Sequence, residues 1–289
     1  MNELHLHKEF LKQSLQNKNK KLSQNNPTKN SIFTQIAKRI IAKQKGSKST
    51  LIENVNCKQC NRTIASERNI ETGKWYYPDF DINTYLCKQC TELNLIAVNP
   101  AKYLQLAGVP IKYTECSFNN FKVIDAMRHN ISICIDYINQ KEFHKGLYLY
   151  GSVGTGKTHI AVAVLREMLI LGQKGIFISV PTLLLTIRRA FQANNTTRKT
   201  EEYYLKEYSE CQLLVLDDFG MEKTTEWNRQ IIDYIVYERD NNLRPLIVTS
   251  NLSVNEIAKK VDIRIASRLS SMNQILHFTG PDYRNTRKQ

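Results

Sequence analysis

Apolar runs alternate with helical patterns along the second half of the chain, from residue 146 onward. The runs, each short enough to be a buried strand, are GLYLY, GIFISV, CQLLVLD, RPLIVTS and QILHF. The segments between and after them have apolar residues at helical spacing and predict helices at Thr158–Leu171, Pro181–Ala193, Thr200–Ser209, Thr225–Asn241 and Val254–Lys260. Strands that alternate with helices through short turns form a parallel sheet flanked by helices. The pattern therefore predicts an α/β fold.

The preceding part of the chain divides into three segments by composition. Residues 1–50 hold eleven Lys or Arg and two acids, hence a charge of +9, and include one amphipathic helical pattern. Such a basic arm either attracts nucleic acid by counterion release or is a solvated, partly disordered tail, and both readings stay open. Residues 51–95 are a compact module bounded by cysteines, and residues 96–145 form a helical connector. The connector leads into the α/β domain, residues 146–289.

The composition also indicates where the protein works. No stretch approaches the roughly 18 consecutive apolar residues of a membrane helix. The N-terminal residues lack the apolar block and cleavage site of a secretory signal. We therefore expect a soluble, cytoplasmic protein without membrane partners.

A phosphate-binding loop is predicted between the first apolar run and the following helix. The residues GSVGTGKT fit the pattern G-x-x-x-x-G-K-[ST] and lie between a strand and a helix, which is the context this motif requires. Glycines let backbone N–H groups surround an anion, and the helix N-terminus adds its dipole. We expect ATP to contact Gly151, Ser152, Val153, Gly154, Thr155, Gly156, Lys157, Thr158 and His159, with the Thr158 hydroxyl on Mg²⁺.

Two acids and an asparagine follow later strands of the same sheet. Asp217 and Asp218 end the run CQLLVLDD, and Asn251 ends the run IVTSN. Because ligands of open α/β sheets bind at the carboxyl ends of the strands, we expect these side chains near the phosphates. Asp217 is then the second Mg²⁺ anchor, Asp218 orients or deprotonates an attacking water, and Asn251 contacts the γ-phosphate or that water.

A specific set of motifs covers roughly residues 110–289 and resembles one family. The segments AGVPIKYTECSFNNF, GSVGTGKTHIAVAV, LLVLDDFG, PLIVTSNLS, RIASRL and GPDYR together resemble the AAA+ ATPases of the bacterial helicase-loader group (DnaC, DnaI) and their IstB-like transposition relatives. The resemblance implies that Asn251 is the sensor-1 residue, Arg268 the arginine finger and Arg284 the sensor-2 arginine. Arg264, one helical turn before Arg268, is the alternative finger. Only 38 residues follow Asn251, which leaves no room for a full helical lid and fits this group.

Four cysteines have the spacing of a metal site. Cys57, Cys60, Cys87 and Cys90 form the pattern C-x2-C-x26-C-x2-C. Two such knuckles place four thiolates on one tetrahedral Zn²⁺ in a closed, structural site, and bound metal supplies folding energy to a small module. A redox dithiol or an iron–sulfur site is the alternative. In the DnaI branch of the loaders, an N-terminal zinc module grips the helicase, and the arrangement here is similar.

The resemblance implies an ATP-dependent loader. Such a protein uses magnesium-dependent ATP hydrolysis at subunit interfaces of a homo-oligomer to place a replicative DnaB-type helicase on single-stranded DNA. The alternative within the family is an IstB-like transposition helper that binds target DNA. Two readings from other classes are a small-molecule kinase and a DNA-binding regulator that uses nucleotide only as a switch. The double aspartate and the lack of room for a lid disfavour the kinase. Asp218, placed where hydrolysis needs it, disfavours the regulator.

Overall fold

The computed structural model describes residues 55–64, 67–68, 75–76, 79–81, 85–140, 145–192, 199–221 and 225–284. These residues fall into two compact units, divided between Val98 and Asn99. The basic arm, residues 1–50, lies outside the described residues. The predicted boundaries at residues 50, 95 and 145 remain predictions.

Unit 1 consists of short strand pairs followed by a helix. Its elements are β1 (Val55–Asn56), β2 (Thr63–Ile64), β3 (Glu67–Arg68), β4 (Trp75–Tyr76), β5 (Phe80–Asp81), β6 (Leu86–Cys87) and α1 (Lys88–Val98). The strands pair antiparallel as β1–β2, β3–β4 and β5–β6. Among the described residues of unit 1, the buried ones are Ile64 and four cysteines, with Val55, Phe80 and Leu86 packed against them. An apolar core of the size these described residues form contributes little stability without a crosslink or a metal.

Unit 2 is built on a five-stranded parallel sheet. Its helices are α2 (Pro100–Leu106), α3 (Arg128–Ile138), α4 (Lys157–Ile170), α5 (Val180–Gln192), α6 (Glu201–Glu210), α7 (Glu226–Asn241), α8 (Val254–Lys260) and α9 (Ile263–Met272). Its strands are β7 (Gly146–Gly151), β8 (Gly175–Ser179), β9 (Leu213–Phe219), β10 (Leu246–Ser250) and β11 (Asn273–Phe278). Their order in the sheet is β11-β7-β10-β9-β8, and all pairs are parallel.

Both faces of this sheet are buried. Along β7, Leu147 and Leu149 belong to one apolar cluster and Tyr148 to the other, as the alternation of side chains across a strand requires. The first cluster includes residues of α2, α3 and α4, and the second includes residues of α5 to α9. This double covering explains why the strands read as continuous apolar runs. The predicted parallel sheet flanked by helices is confirmed.

Local capping explains where the helices begin. The side chain of Thr200 accepts a hydrogen bond from the backbone N–H of Tyr203 in α6, and that of Thr225 accepts one from the backbone N–H of Asn228 in α7. Ser253 and Glu256 form a reciprocal capping box at the start of α8, and Asp262 caps α9. Such caps satisfy backbone N–H groups that have no partner within the helix. The five predicted helices are confirmed to within one residue at each end, and α9 adds a sixth helix directly after α8.

Two further features of unit 2 bear on the site. Residues 99–139, within the predicted connector, contribute Leu104, Met127, Cys134 and other side chains to the first apolar cluster. After β10 the described residues form α8, α9 and β11, and no described helix follows β11 up to Arg284. The described residues after the sheet thus contain no helical lid. Among the described residues, no helix combines the length and hydrophobicity needed to cross a membrane.

One arginine connects three elements at the amino end of the sheet. Arg239 of α7 is fully buried. Its guanidinium donates to the carbonyls of Tyr208 at 2.8 Å, Cys211 at 3.0 Å and Pro245 at 2.6 Å. These carbonyls lie at the end of α6 and just before β9 and β10. The hydrogen bonds therefore fix where two central strands begin.

Replacing Arg239 with methionine is expected to destabilise unit 2 strongly. One buried and two partly buried carbonyls lose their charged donor, which costs about 3 to 5 kcal/mol in unfolding free energy. For a unit of this size that corresponds to a fall in Tm of about 10 °C in thermal unfolding. Arg128→Met is the control, since Arg128 pairs with Asp125 at the surface and such pairs contribute at most about 1 kcal/mol. Equal shifts in the two variants would contradict this role.

Candidate functional site

The glycine-rich loop joins β7 to α4 at the carboxyl edge of the sheet. Gly151, Gly154 and Gly156 all have positive φ, which glycine adopts without strain. Lys157 is 8% exposed, and its ammonium donates to the carbonyls of Gly151 at 2.8 Å and Ser152 at 2.7 Å. The lysine is thus held inside the loop, at the N-terminus of α4, where an anion is stabilised.

At two glycines of the loop, neighbouring side chains leave no room for a Cβ atom. A Cβ on Gly154 would lie 1.8 Å from a carboxylate oxygen of Asp282, and one on Gly156 would lie 2.4 Å from the Phe121 ring. Neither Asp282 nor Phe121 was predicted as part of the site. Both belong to segments that carry the family resemblance, before the first strand and after the last. Those segments therefore form the walls of the loop.

An aromatic group lies beside the loop. The Phe121 ring is 5.2 Å from the ring of His159 and 5.9 Å from that of Tyr283, centroid to centroid. One ring nitrogen of His159 is 2.9 Å from the carbonyl of Ser117. The backbone N–H of Tyr283 donates to the carbonyl of Gly154 at 3.0 Å. His159, which was predicted to contact the nucleotide, is therefore packed with Phe121 beside the loop. Phe121 and Tyr283 were not predicted as part of the site, and their aromatic side chains in the two flanking segments were the signal that could have identified them.

The predicted magnesium ligands lie next to each other. The Thr158 hydroxyl donates to Oδ1 of Asp217 at 2.8 Å, across 59 residues of sequence. Asp217 lies in β9 after four buried apolar residues and is itself 5% exposed. Burial raises the pKa of this carboxyl, and a hydrogen bond from Thr249 is the largest effect in the opposite direction. Hydroxyl and carboxylate oxygens are the hard ligands that Mg²⁺ takes, so this pair fits a magnesium ion on a bound nucleotide.

Asp218 differs from its neighbour in exposure and in backbone conformation. Its side chain is exposed, whereas that of Asp217 is buried. Its φ of 57° lies in the left-handed region, which is unusual for a residue with a side chain. Burial lowers the pKa of Lys157, the charge of Asp218 raises it, and that of Arg284 lowers it. Both Asp218 and Arg284 therefore lie within electrostatic range of the lysine.

Asn251 comes directly after β10, which pairs with β9. It therefore lies at the same edge of the sheet as the two acids. Its amide nitrogen is 3.6 Å from the sulfur of Met221, which follows β9. This placement is compatible with a contact to the phosphates or to a water, and the assignment remains a prediction.

The two candidate arginine fingers lie on α9, and both pair with acids of their own chain. Arg268 pairs with Asp233 of α7 at 2.5 Å and lies over the Tyr237 ring at 4.8 Å. The side chain of Arg264 is 66% exposed and pairs with its neighbour Asp262. Arg268 is thus held against its own subunit, while Arg264 is the freer of the two. The choice between them remains open to experiment.

Arg284 lies at the end of the described chain. Its backbone N–H donates to Asp282 at 2.9 Å, and Asp282 also packs on Gly154 of the loop. This contact connects the segment GPDYR to the loop and keeps Arg284 close enough to affect Lys157. Its predicted sensor-2 role is compatible with that position.

The four cysteines of unit 1 form a buried cluster. The sulfurs of Cys57, Cys60, Cys87 and Cys90 all lie within 4.8 Å of one another. The sulfurs of Cys60 and Cys87 are 3.7 Å apart. Tetrahedral zinc with Zn–S bonds of about 2.3 Å requires sulfurs roughly 3.8 Å apart, so the cluster fits the ion. The backbone N–H of Cys87 donates to the sulfur of Cys57 at 3.3 Å.

The environment of the cluster favours at least one thiolate. Burial acts to raise the pKa of Cys57, but backbone hydrogen bonds from Cys60 and Cys87 outweigh it and hold the pKa at about 6. Burial raises the pKa of Cys60 and that of Cys90, and the neighbouring thiols add to the rise for Cys90. Four thiols at this density ionise together only around a cation.

The sheet and the loop together define a class. Counted along the chain, the five parallel strands have the order 5-1-4-3-2. The glycine-rich loop follows the first strand, the paired acids end the third, and Asn251 follows the fourth. Unit 2 is therefore a P-loop NTPase of the AAA+ type.

The comparisons with known proteins place the chain in a family. The family described as IstB-like ATP binding protein matches residues 99–288, and the chain belongs to it. The replicative helicase loader DnaC of Escherichia coli K12 is 26% identical over 182 residues, 62% of this chain and 73% of that protein. The DnaC of Buchnera aphidicola subsp. Baizongia pistaciae is 27% identical over 191 residues, 65% and 77% of the two chains.

Solved structures agree on the fold. The crystal structure of the DnaC helicase loader has a TM-score of 0.53 and 26% identity, and the match covers 59% of this chain and all of that one. The crystal structure of DnaI has a TM-score of 0.52 and 22% identity, and the match covers 59% and 95%. The predicted helicase-loader and IstB-like resemblance is confirmed for unit 2. Unit 1 lies outside the family match.

Proposed function

We propose that this protein is an ATP-dependent loader that places a replicative DnaB-type helicase on single-stranded DNA. The observation that carries the proposal is the match to DnaC helicase loaders over about three quarters of their length. The site supports it, since the loop lysine, the Thr158–Asp217 pair and Asp218 lie at one edge of the sheet. These are the parts that ATP hydrolysis needs.

We propose the following roles in hydrolysis. Lys157 exchanges its two loop carbonyls for oxygens of the β- and γ-phosphates, and the N-terminus of α4 adds its dipole. Thr158 and Asp217 hold Mg²⁺, which neutralises phosphate charge when bound. Asp218, exposed beside the buried Asp217, orients the attacking water and accepts its proton. Asn251 contacts the γ-phosphate or that water, and Arg284 approaches the phosphates from the segment after β11.

We propose that a neighbouring subunit completes the site with an arginine. An arginine supplied in this way stabilises the charge that develops on the transferred phosphoryl group. A homo-oligomer with ATP at its interfaces explains why neither Arg264 nor Arg268 of α9 contacts the loop of its own chain. Unit 1, with zinc in its cysteine cluster, is then available to hold the helicase.

The arginine assignment predicts a defined kinetic pattern. If Arg268 is the finger, Arg268→Ala lowers kcat by about 1,000-fold and leaves ATP affinity nearly unchanged. Asp233→Asn is the matched control, because it breaks the same ion pair without removing the arginine. Arg264→Ala then retains turnover. The reverse result, with turnover lost in Arg264→Ala and kept in Arg268→Ala, would assign the finger to Arg264.

The loader proposal is tested by reconstitution. The zinc-loaded full-length protein is mixed with a DnaB-type helicase and circular single-stranded DNA, and helicase retained on the circle is measured with and without ATP. We expect the helicase to be retained on the circle only when both this protein and ATP are present. Helicase that neither binds the protein nor reaches the circle would contradict it.

The family match also favours a second candidate. An IstB-like transposition helper shares this ATPase core and binds target DNA rather than a helicase, and the matching family is described as IstB-like. The same purified protein distinguishes the two candidates. Capture of a transposase and ATP-dependent binding of duplex DNA, without capture of helicase, would favour the transposition role.

A further inference from the structure

The two acids of the site belong to a break in the sheet. Strands β9 and β10 pair Leu216 with Val248 and Phe219 with Ser250, so Asp217 and Asp218 lie opposite a single residue, Thr249. Two residues facing one is a β-bulge, which redirects side chains that a regular strand would send to opposite faces. The bulge explains how two consecutive acids can serve one site at the edge of the sheet.

Thr249 is bonded to both sides of this bulge. Its hydroxyl donates to Oδ1 of Asp217 at 2.6 Å and accepts the backbone N–H of Asp218 at 3.1 Å. A hydroxyl has one proton to donate, so the donor bond to Asp217 uses it fully. Thr249 is 1% exposed and follows the apolar residues Leu246, Ile247 and Val248 in a central strand. A polar side chain there is costly unless it is hydrogen-bonded, as this one is.

We propose that Thr249 is the positioning residue that sets both acids for hydrolysis. Its donor bond fixes the carboxylate of Asp217 beside Thr158. Its acceptor bond gives a partner to the Asp218 N–H and holds that residue in its left-handed conformation. One hydroxyl therefore orients the carboxylate of Asp217, which would hold the metal, and the backbone of Asp218, whose side chain would face the water. The inference rests on the proposed ATP hydrolysis.

Three variants of the full-length protein test the proposal. Thr249→Val keeps the shape and the β-branch but removes both hydrogen bonds, and Thr249→Ser keeps the hydroxyl. Ser250→Ala is the matched control, because Ser250 is equally buried and its hydroxyl donates to the carbonyl of Phe219 at 2.7 Å. Thermal unfolding of each variant shows whether it is folded at the assay temperature.

Two measurements are made on each variant. The first is the affinity for a fluorescent ATP analogue with and without Mg²⁺, and the second is kcat and KM for hydrolysis. Thr249→Val is expected to bind the analogue normally without Mg²⁺. Its kcat is expected to fall about 10- to 100-fold, and the increase in affinity that Mg²⁺ causes is expected to shrink by a similar factor. Thr249→Ser is expected to restore most of both, and Ser250→Ala to behave as the wild type.

The proposal is overturned if Thr249→Val matches the wild type in both measurements. It is also overturned if Thr249→Ser is as defective as Thr249→Val, since packing rather than the hydroxyl is then what matters. The helicase experiment on the wild type tests the loader function separately. Failure there leaves the comparison of these variants intact, because their readouts are nucleotide affinity and turnover.

Discussion

Lys157→Ala is expected to lose most of its ATP binding. The lysine is the buried cation of the loop, and its ammonium lies among carbonyls at the N-terminus of α4. Removing one partner of a buried, hydrogen-bonded charge pair costs about 2 to 5 kcal/mol, so affinity falls by about 30- to 5,000-fold. Equilibrium binding of a fluorescent ATP analogue measures the loss.

A second lysine provides the control. Lys174, at the surface just before β8, is exposed, and Lys174→Ala is expected to bind ATP as the wild type does. If unit 1 holds the helicase, Lys157→Ala still captures the helicase but does not load it. Equal ATP affinity in the two lysine variants would contradict the assignment of the loop.

Replacing Cys87 with alanine is expected to unfold unit 1 and to remove its metal. Structural zinc contributes about 10 to 16 kcal/mol of binding free energy at neutral pH. That energy is also folding free energy in a module whose described residues include so few buried apolar ones. The wild type should contain one zinc per chain by atomic emission, and the variant should contain none. Hydrogen exchange over residues 55–98 should become fast in the variant.

The chain offers a matched control for this change too. Cys134 is fully buried in unit 2 and is not one of the four clustered cysteines, so Cys134→Ala is expected to retain the zinc. Treatment with a chelator should reproduce the effect of Cys87→Ala in the wild type. A purified wild type with visible iron–sulfur absorption, or full zinc content in Cys87→Ala, would contradict the zinc assignment.

The sheet was predictable because its strands are buried on both faces. Runs such as LLVL in β9 and LIV in β10 contain no polar residue. A strand that is buried on both faces has such a run whatever its position in the sheet. Helix starts were predictable for a similar reason, since Thr225 and Ser253 act on their own local backbone. Patterns of this kind are determined by neighbours in sequence.

Long-range features were missed because no local pattern encodes them. The bulge at Asp217 depends on the register between β9 and β10, and the sequence shows only two acids in a row. The contact of Asp282 with Gly154 joins residues more than 120 positions apart. The sequence around Arg239 predicts only a helix, although this buried arginine connects three elements of unit 2. In each case the partner lies far away along the chain.

The candidate site follows the same division. The loop and Asp217 were predicted from motifs whose geometry is fixed by a strand and a helix, and the structure brings Thr158 and Asp217 together. The two arginines of α9 are different, because their proposed partner is another subunit. Sequence spacing identifies Arg264 and Arg268 as candidates, but only contacts across an interface can choose between them.

The affinity of the zinc-loaded wild type for ATP, measured with and without Mg²⁺, tests the central claim most directly. If Thr158 and Asp217 hold magnesium beside the phosphate loop, ATP binds and Mg²⁺ tightens binding. Asp217→Asn then binds ATP but loses the tightening. Folded wild-type protein whose affinity for adenine nucleotides is absent, or is unchanged by Mg²⁺, would contradict the account.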